Sequence, residues 1–266
     1  SPLVTRSVAI AFKEEDVVAN EAITVVLSMM GWVRSAKGHE VDAQNLSYKA
    51  GDSFAALALG RSNQSAIFFD ATGRSYSTPA HLLPSVRGQG EPLTGKFSPP
   101  DNAAFLPYVL VNSDEQWVLL ASDAGYGFIS KCADLIGKNK AGKAVVNLPT
   151  GGKLLPPLLI NNISEDKLVA VTASGHCLVF PLSDLPILSK GKGNKIINIA
   201  STAYAASEDA LLKVVIVGPK QQVRLVSGKR EFILKANDLT YYTGERARKG
   251  NKLPRGLQKI DDMTVV

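Results

Sequence analysis

Cysteine and histidine are scarce in this chain: Cys132 and Cys177, with His39, His81 and His176, are all that 266 residues contain. Neither cysteine belongs to a CxxC pair and both adjoin apolar runs. They read as buried free thiols in a reducing compartment, the cytoplasm, rather than as a disulfide framework. The histidines lie far apart without ligand spacing, so no metal site is expected. No stretch reaches the roughly 18–20 apolar residues of a membrane-spanning helix. The opening residues, SPLVTRSVAIAFKEEDVVANEA, run from a short apolar patch straight into Glu14, Glu15 and Asp16, which is not the pattern of a signal peptide. With no initiator Met, they read as the start of a fragment or processed chain.

Catalytic constellations are missing as well. No Ser–His–Asp or Cys–His arrangement stands out, Asp261–Asp262 sits in what reads as a polar, solvated tail, and Tyr204 in STAYAAS reads as a loop residue. A propeller enzyme would need carboxylates or metal ligands converging on a channel, and the candidate inner strands (VVLS, IFFD, VLLAS, LVAV) are apolar. The chain itself is expected to be non-catalytic and to need no cofactor.

What the chain does have is repetition. An apolar β-rich run, a polar turn with glycine and a second run recur around Gly31, Gly73, Gly125, Gly175 and Gly228, at intervals of 42, 52, 50 and 53 residues. Each reads as a hairpin, with glycine supplying the positive φ of the turn. A second glycine loop follows each hairpin: YKAGDS (Gly51), RGQGEP (Gly90), KNKAGKA (Gly142), KGKGNK (Gly193) and RKGNKL (Gly250), at offsets of 20, 17, 17, 18 and 22 residues. A third apolar run closes four of the units (57–60, 109–112, 158–161, 214–218). Helical periodicity is confined to possible single turns in ADLIGK and SDLPIL. Five units of about four strands predict radially repeated sheets. The plain alternative, two unrelated β-sandwiches, leaves the matched offsets as coincidence.

Charge is unevenly spread. Residues 1–189 carry 15 Lys and Arg against 17 Asp and Glu, whereas residues 190–266 carry 15 against 7. A basic last third suits an acidic partner. KGKGNKII is not a nucleotide cradle: β-branched residues follow where a Walker loop needs Ser or Thr and a helix, and Ile196 replaces the last glycine of a dinucleotide fingerprint. The loop instead belongs to a series at equivalent places. Lys138, Lys140 and Lys143 would line up with Lys190, Lys192 and Lys195, and then with Arg246, Arg248, Lys249 and Lys252, in a curved basic track for the DNA backbone. In that reading the glycines let backbone amides approach phosphates. The track should be weak over the first two units, whose loops are nearly neutral, and strong over the last three. Two other readings stand beside it: lysines that merely solubilise, and a protein-interaction propeller whose DNA binding is secondary.

The stretches ITVVLSMMGWVRSAKGHEVD (23–42), YKAGDSF (48–54), GRSYS (73–77), RGQGEPLTGK (87–96), ASDAGYGF (121–128), SDLPILSKGKGNKIINI (183–199), TGERARKG (243–250) and RGLQKID (255–261) carry a resemblance. They resemble the C-terminal domains of bacterial type IIA topoisomerase A subunits, the ParC branch of topoisomerase IV more than the GyrA branch of gyrase. That resemblance implies an all-β, five-bladed β-pinwheel over 22–266, with strands exchanged between blades in an open or broken ring, and a linker over 1–21 from an absent breakage–reunion domain. It implies a domain that binds and bends the transported double-stranded DNA segment and so tunes supercoil relaxation and decatenation. The active-site tyrosine, the ATP and the Mg would belong to other parts of the enzyme. The gyrase branch carries a glutamine–arginine–glycine–lysine box in its first blade. At the matching place here only Lys49 and Gly51 agree, which favours the topoisomerase IV task over chiral wrapping. The implied partners are DNA, the ParE subunit through the absent N-terminal part, and the hinge of the MukB condensin, with Arg230 and Arg255 as anchors. The implied location is the cytoplasm, on the chromosome.

Overall fold

The computed structural model describes residues 18–266, so most of the expected linker lies outside the described residues. Among the described residues nineteen strands account for nearly all regular structure. They are β1 (Ala22–Ser28), β2 (Trp32–Lys37), β3 (Phe54–Arg61), β4 (Ser65–Asp70), β5 (Arg74–Pro79), β6 (Glu91–Pro92), β7 (Phe105–Asn112), β8 (Trp117–Ala121), β9 (Tyr126–Lys131) and β10 (Lys143–Ala144). There follow β11 (Leu158–Leu159), β12 (Lys167–Thr172), β13 (His176–Pro181), β14 (Asn194–Lys195), β15 (Leu211–Val217), β16 (Val223–Ser227), β17 (Arg230–Leu234), β18 (Asn251–Lys252) and β19 (Asp262–Val265). Among the described residues helix is limited to α1 (Cys132–Leu135), α2 (Ser201–Ala205), α3 (Ala236–Tyr242) and a few 3-10 turns, one of them at Leu182–Asp184, overlapping the start of SDLPIL.

The strands form five sheets, ordered β3–β1–β2–β6, β10–β5–β4–β7, β11–β8–β9–β14, β15–β12–β13–β18 and β17–β16–β19. One rule generates the first four. Each is built on a hairpin whose first strand pairs with the closing run that follows it in sequence. Its second strand pairs with a two-residue strand delivered from beyond the next hairpin. The closing runs are β3, β7, β11 and β15, and the delivered strands are β6, β10, β14 and β18. Among the described residues the fifth sheet has the hairpin β16–β17 and its closing strand β19 but no delivered strand.

The delivered strand explains four of the loop glycines. Gly90, Gly142, Gly193 and Gly250 each precede it, with φ between 78° and 88°. A Cβ on Gly193 would come within 2.2 Å of the Gly127 carbonyl oxygen, and one on Gly250 within 2.4 Å of the Cys177 carbonyl oxygen. These residues are glycine because the chain presses here against the preceding hairpin, in a backbone region where L side chains are strained. This packing accounts for the four glycines without any phosphate contact. The fifth supposed relative differs too: Gly51 (φ 81°) has nothing within 4 Å of an added Cβ, and its loop only joins β2 to β3.

The chain divides into two compact units, one comprising the residues up to Asp70 with Ser75–Asp114 and Ile136–Lys143, the other Ala71–Arg74, Glu115–Leu135 and Ala144–Val266. In the first unit, alternate residues of the strands bury Val25, Leu27, Val33, Phe68, Tyr76 and Val111 in one core, where Tyr76 packs 5.4 Å from Phe97 and 5.1 Å from Phe105 between ring centroids. In the second unit the fourth sheet is buried on both faces: Leu168, Ala170, Leu178 and Phe180 join one cluster, and Val169, Val171, Cys177 and Val179 another. A period of two, apolar in both phases, is what a sheet stacked between neighbours requires. Both cysteines are buried free thiols. Asp261 and Asp262 are not a tail: Asp262 opens β19, which pairs with β16, and an Asp261 carboxylate oxygen accepts the Gly228 N–H at the hairpin turn.

Candidate nucleic-acid interface

Seven of the ten cations assigned to the basic track lie in the second unit, on the two loops that deliver β14 and β18. Those loops are bound to each other. The Ala247 N–H donates to the Ile196 carbonyl (3.1 Å), the Asn198 N–H donates to the Arg248 carbonyl (2.9 Å), and the Arg246 guanidinium donates to the Lys195 carbonyl (2.7 Å). Strand delivery has placed residues about fifty positions apart side by side, because each loop lands on the hairpin preceding its own.

Lys190 and Lys192 are exposed, and the Lys192 ammonium lies 4.0 Å from the Tyr126 ring centroid. Lys195 is half-buried and donates to Asn198 Oδ1 (3.1 Å). Arg246 is half-buried, and one guanidinium nitrogen is committed to the neighbouring loop. Arg248 is exposed and paired with Glu245 (3.2 Å), a surface pair between flexible side chains that a stronger anion can displace. Lys249 and Lys252 are exposed; β18 pairs with β13, with Lys252 opposite His176. Burial holds the His176 pKa below its ordinary value, and the Lys249 charge and, more weakly, that of Lys252 add to this against the opposing pull of Asp209. A neutral imidazole thus stands beside these two lysines near pH 7.

A groove of about 470 Å³ opens beside the first loop, between Tyr126, Pro149, Lys192, Lys195, Asn198 and Tyr204. Tyr204 is not a loop residue. It sits in α2, half-buried, with its hydroxyl donating to Asp123 Oδ1 (2.5 Å); burial first and Asp123 second push its pKa up. The remaining three cations lie in the first unit: Lys138 and Lys140 are exposed and Lys143 is half-buried at the start of β10. The Lys140 carbonyl accepts the Ser98 N–H (2.8 Å).

Two features escaped sequence reasoning. Rings open the second hairpin strand in three sheets, at Trp32, Tyr126 and His176, and lysines sit over the first two: Lys49 is 3.9 Å from the Trp32 ring and Lys192 4.0 Å from that of Tyr126. The signal was present in each case, as the residue directly after the hairpin glycine. Arg34 carried no signal. It is 3 % exposed, donates to the carbonyls of Gly88 and Ser47 (both 2.8 Å) and ties two loops of the first unit together.

Among the described residues no group of three or more His, Cys, Asp or Glu is placed to hold a metal ion, and no helix is long and apolar enough to cross a membrane. Sheets completed by strands from the next repeat define a β-pinwheel, an all-β class. The model of the DNA gyrase C-terminal domain, described as a β-propeller, matches residues 116–161 and 166–204. The DNA topoisomerase 4 A subunit of Pseudomonas aeruginosa is 52% identical over 265 residues, and that of Escherichia coli K12 51%. The alignments cover all of this chain but only 35% of those proteins, so it spans about a third of the length of the curated relatives it matches. The solved E. coli ParC C-terminal domain is 51% identical, with a TM-score of 0.85 over 92% of this chain and 99% of that one. The solved DNA gyrase A C-terminal domain shares the fold at 16% identity, with a TM-score of 0.62 over 92% of this chain and 83% of that one. The chain belongs to the family of ParC C-terminal domains, those of the topoisomerase IV A subunits.

Proposed function

We propose that this domain binds double-stranded DNA through its phosphates, bends it, and so presents the segment that the whole topoisomerase passes through a break. The observation that carries this reading is the joining of two basic loops by three hydrogen bonds. Joined in this way, their cations suit an elongated polyanion. Phosphate contacts of this kind need no base readout and no cofactor. Bending the duplex would carry a deformation cost of about 1–6 kcal/mol for a short site. Tuning of relaxation and decatenation, location on the chromosome, and use of ATP and Mg elsewhere in the enzyme follow as parts of the same proposal, as does association with ParE through the rest of the ParC chain.

Charge reversal tests it. Replacing Lys190, Lys192 and Lys195 together by Glu should weaken binding to a short duplex by at least about tenfold, or 1.4 kcal/mol. The same change at Lys213 and Lys220, on β15 and the turn after it, should do much less. Equal effects would remove the delivered loops from the interface. For the condensin partner, Arg230 and Arg255 are both exposed, and the Arg230 guanidinium packs on Gly256, so the two proposed anchors neighbour each other. Replacing both with Glu should abolish binding of a MukB hinge and spare DNA binding; an unchanged hinge affinity would discard these anchors.

A further inference from the structure

The groove beside the first delivered loop is assembled from three stretches of chain, each pinned to the β8–β9 hairpin. β14 pairs Lys195 with Tyr126 and Asn194 with Gly127, and the Ile196 N–H donates to the Gly125 carbonyl (2.6 Å), which fixes the lysine loop against the hairpin turn. Asp123, in that turn, holds the other two stretches. Its Oδ1 accepts the Tyr204 hydroxyl of α2 (2.5 Å) and the Lys153 N–H (2.9 Å), and its own N–H donates to the Lys153 carbonyl (2.9 Å). Lys153 follows the turn that carries Pro149, closed by the Gly152 N–H donating to the Pro149 carbonyl (2.8 Å). The walls are therefore set before any ligand arrives.

The lining combines three kinds of surface. Tyr126, Tyr204, Pro149 and Ile199 offer rings and apolar groups, and because the Tyr204 hydroxyl is spent on Asp123, its ring is what remains for a ligand. Lys192 and Lys195 bring positive charge. Asn198 gives its Oδ1 to the Lys195 ammonium (3.1 Å), which leaves its NH2 without a partner among the described residues and able to donate to a carbonyl. Flat ring, donor and cation are what a nucleotide asks for: a planar base with carbonyl edges, joined to a phosphate. The groove, at about 470 Å³, falls in the usual range of small-ligand sites, about 300–1,000 Å³. Bases of an intact duplex are stacked and paired inside the backbone, so a groove that flanks a phosphate-binding loop meets only a base that has left the stack. The Lys192 ammonium now rests 4.0 Å from the Tyr126 ring centroid. Such a contact is weak at a surface, so a phosphate can draw the ammonium away and free the ring for stacking.

We propose that this groove holds one unpaired nucleotide of a DNA strand, with the base stacked on Tyr126, a base carbonyl on the Asn198 NH2 and the phosphate on Lys192 and Lys195. The domain then prefers a duplex that carries a single-stranded tail or gap over a continuous one. This rests on the DNA reading above and adds a base contact to its phosphate contacts.

Affinities of the whole chain for three probes at one salt concentration test it: a blunt duplex, the same duplex with a short thymidine tail, and the same duplex with an abasic tail of equal length, which keeps every tail phosphate and loses the bases. The thymidine tail should bind at least about fivefold tighter than the abasic tail, and Tyr126→Ala should bring that ratio close to one. Lys190→Glu, at a side chain outside the lining, should weaken both tailed probes alike and leave the ratio as it was. Equal affinity for the two tails in the unaltered chain overturns the proposal, whether or not the blunt duplex binds. A thymidine preference without any binding of the blunt duplex would sink the duplex reading and keep this one. A preference that survives Tyr126→Ala also overturns it, as does free dTMP binding more tightly than the thymidine-tailed duplex, which would give the groove to a soluble nucleotide.

Discussion

Replacing Gly193 by Ala should be far more damaging than replacing Gly51 by Ala, although both are loop glycines at φ near 80°. An alanine held in the left-handed region costs about 1–2 kcal/mol at either place. At Gly51 that is the whole effect, since nothing lies within 4 Å of the new methyl. At Gly193 the methyl would come 2.2 Å from the Gly127 carbonyl oxygen, about 1 Å inside contact distance. The receiving atom is backbone in the middle of a sheet and cannot move aside, so β14 must lift from β9. Losing that two-residue pairing removes about two backbone hydrogen bonds at about 1 kcal/mol each. The expected destabilisation is about 3–4 kcal/mol for Gly193→Ala against about 1–2 for Gly51→Ala. Urea unfolding followed by tryptophan fluorescence reads the difference, with Trp117 in the same sheet as β14. Equal losses would mean that the glycine is not there for strand delivery, and the account of the four loops would fail.

Arg246→Lys keeps the charge but gives up the planar donor that reaches the Lys195 carbonyl. DNA affinity should fall nearly as far as for Arg246→Ala; an affinity like that of the unaltered protein would make Arg246 an ordinary phosphate contact. Burial pushes the Cys177 thiol up to about 12 from an ordinary 9.0. The unfolded chain then loses the proton first, so the contribution to stability is full below about pH 9 and declines toward pH 12, by a few kcal/mol in all. Cys177→Ala should flatten that alkaline decline, and a decline of unchanged depth in the variant would rule the thiol out. Tyr204→Phe should cost about 1 kcal/mol by removing the bond to Asp123, measured by urea unfolding; no loss would mean the hydroxyl bond contributes nothing net. If phosphates settle beside Lys249 and Lys252, the His176 pKa should rise when a duplex is added, as read by NMR titration, and a static value would place DNA elsewhere.

The hairpins and their order were legible because the turn glycines and the flanking β-branched runs are local signals. The delivered strands were half legible. Their glycines recur at a nearly constant offset, but a two-residue strand has no periodicity of its own, and only coordinates show that it leaves its own repeat. That is why Gly51 passed as a fifth relative. The basic residues were legible by type and the hidden commitments of Arg246 and Arg34 were not. Both spend their donors on backbone carbonyls distant in sequence, and exposed and tethered arginines look alike in one dimension.

The dependence of duplex affinity on salt tests the interface most directly. Of the seven cations on the two joined loops, Arg246 is tethered and six remain, which at about 0.9 per neutralised phosphate gives a log–log slope near −5. The account predicts that value for the unaltered chain, and a slope shallower by roughly 2–3 once Lys190, Lys192 and Lys195 are reversed. A slope near zero, or one that the reversal leaves unchanged, would contradict it.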